Sequence, residues 1–148
     1  MIKQFVISVS STEKMKRGIP LTDEDRLPWL EALRDVLIDH IIHGKLVILA
    51  CSALQPFYRD ILKEADYDQV YKNQKDDPKR ASKDSPPPKR MKFFLLNGPI
   101  ELFASRLEKR FKTGAHFMPP SLLHSQMEAL QIRKDEDIIF LDASKSPM

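Results

Sequence analysis

An α/β fold, with a mostly parallel sheet flanked by helices, is what this 148-residue sequence predicts, and three observations predict it. Two short continuous apolar runs, LVILA at Leu46 to Ala50 and MKFFLL at Met91 to Leu96, have the composition of strands buried on both faces. A third such run stands at Ile138 to Leu141. Between them lie segments with helical periodicity, and strands alternating with helices of that kind are joined by right-handed crossovers in a layered fold.

Taken in order, Ile2 to Ser10 is apolar and β-branched enough to be a strand. Thr22 is an N-cap with Asp25 three residues later as a short capping box, and Asp23, Glu24 and Asp25 put negative charge at the positive end of a helix dipole. Pro28 suits the first turn of that helix. Leu30, Leu33, Leu37 and Ile41 then recur at helical spacing to His43, and Gly44 stands where a C-terminal cap belongs. After LVILA, Pro56 opens a helix carrying Phe57, Ile61 and Leu62. The stretch at about 68–90 is polar, charged and proline-bearing, and is expected to be a disordered or extended insertion. After MKFFLL, Gly98-Pro99 leads into a helix with Ile100, Phe103 and Leu107 on one face.

The length is that of one domain over 1–148, since domains commonly run to about 100–200 residues. The balance of 24 basic to 21 acidic residues gives +3, too small to argue for nucleic acid. A single cysteine, Cys51, cannot form an internal disulfide and suggests a reducing compartment. No apolar stretch reaches the roughly 20 residues that span a bilayer. These features predict a cytoplasmic protein with no membrane and no nucleic-acid partner.

Several side chains carry chemistry. Arg26, on the first turn of a helix beside Thr22 and Asp25, can grip a carboxylate with both arms of its guanidinium; the alternative is an ion pair with Asp23 or another nearby acid. Ser52 follows LVILA at its carboxyl end, where open α/β sheets bind ligands, and Arg59 comes seven residues later. Their alternatives are a helix cap and a solvated charge. Arg106 and Arg110 share a helix face, as lid arginines closing on phosphates do, or as any charged surface does. His40 and His43 lack a third ligand, so no metal site is expected. Lys79, Arg80, Lys83, Lys89, Arg90 and Lys92 form a basic run with few aromatics, read as a solvated loop or as an interaction segment. The four glycines, Gly18, Gly44, Gly98 and Gly114, cannot be arranged as a phosphate-binding G-x-x-x-x-G-K-[ST] loop.

The block MKRGIPLTDEDRLPWL at Met15 to Leu30, CSAL at Cys51 to Leu54 with Tyr58-Arg59-Asp60, and His116-Phe117-Met118-Pro119-Pro120 followed by Leu122-Leu123 and Ser125-Gln126 together resemble the gluconokinase family, in order and with compatible spacing. The resemblance runs from about Glu13 to Gln131 apart from the insertion. It implies a P-loop kinase-like α/β fold, of the adenylate and shikimate kinase type, and ATP with Mg²⁺ as cosubstrate and metal. It further implies phosphorylation of D-gluconate to 6-phosphogluconate, and usually a homodimer. It gives Arg26, Ser52, Arg59 and His116 to substrate, and Arg106 and Arg110 to a nucleotide lid; catalytic residues are not assigned. It also leads one to expect Trp29 to be largely buried and LVILA and MKFFLL to share one parallel sheet. This copy departs from the family at both ends, lacking the N-terminal glycine loop and the final helix after Leu141. A truncated, non-catalytic relative that binds gluconate or a partner is therefore the alternative to an active kinase. A basic interaction module is a third class.

Overall fold

The computed structural model describes residues 9–74, 91–114 and 118–145. The described residues divide into two compact units: one holds those from Leu27 to Met91, the other those up to Arg26 and from Lys92 onward.

The second of these units begins with α1, Val9–Lys16. The strand expected at Ile2 to Ser10 is overturned at its end, because Val9 and Ser10 open this helix; residues 1–8 lie outside the described residues. Hydroxyl residues such as Ser10, Ser11 and Thr12 are poor helix formers in isolation, and packing overrides that weak preference here: Met15 is buried with Leu107, Met118, Leu122 and Leu123. The helix ends in a Schellman motif. The Gly18 N–H donates to the Met15 carbonyl and the Ile19 N–H to the Lys14 carbonyl, both at 2.9 Å, with Gly18 at φ 73°.

The same unit contains β1, Phe93–Asn97, and β2, Ile138–Asp142, paired in parallel with Phe93 opposite Ile138 and Asn97 opposite Asp142. Between them run α4, Ile100–Lys112, a 3-10 turn at Pro120–Leu122, and α5, Leu123–Ala129. A parallel pair needs such a crossover. As the periodicity predicts, α4 presents Leu107 to the core, with Ile100 and Phe103 packed beside it. One face of the sheet, Phe94, Leu96, Ile139 and Leu141, is exposed.

The helix expected from the capping signal is α2, Asp23–Ile42. Pro28 is its sixth residue rather than part of its first turn, so the bond an N–H there would make to the Glu24 carbonyl is missing. Leu30, Leu33 and Leu37 are buried. Trp29, expected to be largely buried, keeps only a minority of its surface in water; it stands one position before the Leu30 stripe, at its edge. Gly44 terminates the helix as predicted, at φ 64°, with Gly44 N–H to Ile41 and Lys45 N–H to His40.

Residues 46–50 correct the sequence reading most strongly: they form no strand and pair with no described residue, and Leu46 and Ile48 are 92% and 75% exposed. LVILA and MKFFLL therefore do not share a ladder here. Strand formation is a property of neighbours, and β1 finds its parallel neighbour in β2 instead. Next comes α3, Pro56–Gln74. Among its described side chains Tyr58, Arg59, Leu62 and Ala65 are buried; of the apolar residues expected on this helix Leu62 is inward, while Phe57 is 39% exposed. α3 also continues through the first residues of the stretch expected to be irregular; 75–90 lie outside the described residues. Arg34 on α2 pairs with Glu64 on α3 at 2.8 Å.

Candidate functional site: an arginine held in the first turn of α2

The segment 18–30 is organised by short-range bonds. Thr22 and Asp25 form the predicted capping box: the Thr22 N–H donates to Asp25 Oδ2 at 3.0 Å, and the Asp25 N–H to Thr22 Oγ1 at 3.3 Å. The Thr22 hydroxyl also donates to Asp25 Oδ2, at 3.1 Å. The box carries a partner that sequence reasoning missed, the ammonium of Lys14, 2.8 Å from each Asp25 carboxylate oxygen. The only signal for it was a lysine in the turn before Gly18, which resembles any solvated charge. Lys14 first, and the Thr22 N–H next, hold the Asp25 carboxyl below its ordinary range.

Arg26 follows directly. Its N–H donates to the Thr22 carbonyl at 3.2 Å, the first intrahelical bond of α2, and the residue is buried, 8% exposed. Burial of a whole arginine is uncommon, so this position differs from an ordinary helix-surface charge.

In the other unit, Arg59 is 3% exposed and donates from Nη1 to the Ala53 carbonyl at 2.6 Å. That bond folds its head over the loop before α3, next to half-buried Ser52, so sequence-predicted Ser52 and Arg59 are brought to one loop and helix start. Ser52 is not the helix cap: the Gln55 carbonyl accepts from Tyr58 and Arg59 in that place.

The expected lid arginines divide. Arg106 donates from Nη2 to the Ala143 carbonyl at 2.7 Å, bracing α4 to the end of β2. The Arg110 side chain is exposed and makes no hydrogen bond or ion pair among the described residues. His116 lies outside the described residues. The residues that follow it are largely architectural: Met118, Leu122 and Leu123 are buried, Ser125 donates to the Leu122 carbonyl at 2.9 Å, and the Gln126 amide reaches Met118 Sδ at 3.0 Å. Among the described residues no cluster of His, Cys, Asp or Glu is placed to hold a metal ion, and no helix is long and apolar enough to cross a membrane. His40 and His43 instead lie against the Val36 and Asp39 carbonyls of their own helix.

No protein-family model matches the chain. It is similar to a gluconokinase of Arabidopsis thaliana, 40% identical over 140 residues that cover 95% of this chain and 68% of that protein. Among solved structures, an unliganded sugar kinase from Janibacter sp. matches with a TM-score of 0.69 at 36% identity, covering 95% of this chain and 67% of that one. A gluconokinase from Sinorhizobium meliloti matches with a TM-score of 0.63 at 32% identity, covering 95% and 65%. Helices beside a parallel sheet are thus those of a kinase-like α/β fold. At 40% identity over 95% of its length, the chain belongs to the gluconokinase family.

Proposed function

We propose that this chain serves the ATP-dependent phosphorylation of D-gluconate to 6-phosphogluconate, and that the step its own residues perform is recognition of the sugar acid. The observation that carries this reading is the burial of Arg26 directly after a completed capping box. A planar fork of donors suits a carboxylate, and gluconate differs from a neutral sugar alcohol by that group. Ser52 and Arg59 form a second patch, suited to hydroxyl groups, and His116 a further substrate contact. Arg110, exposed on α4, serves the nucleotide lid, and Arg106 supports it through Ala143.

These 148 residues do not by themselves fit Mg-ATP: they contain no glycine-rich phosphate loop, and no described cluster suits a divalent cation. The chain's own contribution is therefore binding and orientation of the acceptor, which in phosphoryl transfer counts for much of the rate.

Calorimetric titration with D-gluconate tests the reading. Arg26→Ala should weaken binding by about tenfold to hundredfold, the loss of a charge-assisted pair, and a neutral sugar alcohol should bind poorly to the unmodified chain. Equal gluconate affinity in the two proteins would overturn it. Gluconate binding with no ATP-dependent product would select a second reading, binding without turnover.

A further inference from the structure

Lys14 is held at both ends. Its carbonyl accepts the Ile19 N–H that closes α1, and its ammonium lies on both oxygens of Asp25, eleven positions along. Asp25 in turn holds Thr22, and the Thr22 carbonyl takes the Arg26 N–H. A continuous set of bonds therefore runs from Lys14 to the backbone of Arg26.

The charges point the same way. Asp23, Glu24 and Asp25 stand immediately before Arg26, so three negative charges lie within one helical turn of it in sequence. Asp25 is negative over the neutral range as any aspartate is, and the Lys14 ammonium lowers its titration further. The ammonium 2.8 Å away offsets it directly. With the side chains 42% and 18% exposed, the pair lies between a solvated surface bridge, of little worth, and a buried one. Its double contact on a carboxylate already fixed by Thr22 sets it apart from an unconstrained surface pair.

Resting on the reading of Arg26 as the acid-binding residue, we infer that Lys14 is a positioning residue for it: by clamping and neutralising Asp25, it fixes the first turn of α2 and makes the approach to Arg26 acceptable to an anion. Lys14 does not touch the substrate.

The test is a set of D-gluconate titrations on the full chain. Lys14→Met should weaken binding about tenfold, the scale of one charge-assisted contact, while Lys14→Arg keeps it within about twofold. Lys14→Met combined with Asp25→Asn should recover most of the loss, since the uncompensated charge is then gone; a merely structural lysine would give no such recovery. Unchanged affinity in Lys14→Met, where Arg26→Ala does weaken binding, overturns the inference alone. If Arg26→Ala changes nothing, the acid-binding reading has failed. The Lys14 clamp is then judged by backbone amide exchange: the Arg26 N–H should exchange severalfold faster in Lys14→Met and normally in Lys14→Arg, and equal exchange overturns it.

Discussion

Residues 18–30 and 46–50 both stand out in the sequence, and they meet opposite outcomes in the structure. The first folds as its residues suggest: Thr22 caps, Asp25 completes the box, and Leu30 is fully buried. The second is more hydrophobic than almost any other stretch, yet Leu46 and Ile48 face solvent. The difference is the distance over which each signal has to act. A capping box is satisfied within four residues, whereas a buried parallel strand needs two neighbours and two covering layers from elsewhere in the chain. Apolar composition states what a segment can accept, not what it receives.

Truncating one leucine from each region gives the largest contrast. Leu30, at 0% exposed, should cost about 3–5 kcal/mol when replaced by alanine, from lost burial and the cavity left behind. Leu46→Ala, at 92% exposed, should change stability by no more than about 0.5 kcal/mol. Urea denaturation measures both. A loss of several kcal/mol at Leu46 would show that 46–50 is a core strand after all, and the contrast would collapse.

The glycines bounding these regions come next in size. Gly18 and Gly44 each sit at positive φ, and an alanine there costs about 1–2 kcal/mol for the left-handed backbone alone. They differ in surroundings: a Cβ on Gly18 would lie 3.3 Å from Ser121 Oγ, and one on Gly44 meets nothing within 4 Å. Gly18→Ala should therefore be the more destabilising, and Ser121→Ala in that background should remove the excess. Equal losses would show that the serine hydroxyl simply moves aside.

Local chemistry was thus legible where few residues decide it. The Gly44 terminus, the Thr22 cap, the Leu30, Leu33 and Leu37 stripe and the Leu107 face of α4 all follow from spacing and backbone chemistry. The parallel partner of Phe93–Asn97 did not, because nothing in the LVILA run distinguishes a paired strand from an unpaired one. Nor did the helix at Val9–Lys16, whose hydroxyl residues carry no strong preference and whose place is set by Met15 packing. At the candidate site, Arg26 and the Ser52–Arg59 pair were legible by residue type and position, but the Lys14 clamp and the Arg106–Ala143 bond were not. Contacts 11 and 37 residues apart leave no periodic trace.

A smaller effect sharpens the comparison within the first region. Thr22→Ala removes both the acceptor for the Asp25 N–H and the hydroxyl that donates to Asp25, and should cost about 1 kcal/mol. Thr22→Ser should restore most of it, because the hydroxyl rather than the methyl does the capping. Equal loss in the two variants would mean that the position matters through packing, and that the block is not a local motif.

The last prediction concerns pH, where the effect is smallest and its sign is fixed. The folded-state pKa of Asp25 is lowered, chiefly by the Lys14 ammonium and then by the Thr22 N–H. A lowered carboxyl contributes stability that is present above its unfolded value, about 3.9, and is lost as pH falls through the folded value below it. Asp142, held down by Ser144, and Glu108, held down by Lys112, lose stability in the same range, so acid sensitivity of the whole chain does not isolate Asp25. The informative quantity is the difference in urea midpoint between the unmodified chain and Lys14→Met. It should be constant from about pH 7 to 5 and narrow below about 4, as Asp25 protonates and the lysine loses its partner. A difference that persists undiminished at pH 2 would mean that Lys14 stabilises through its aliphatic stem on α1, and that the charge link from α1 to the cap of α2 contributes nothing.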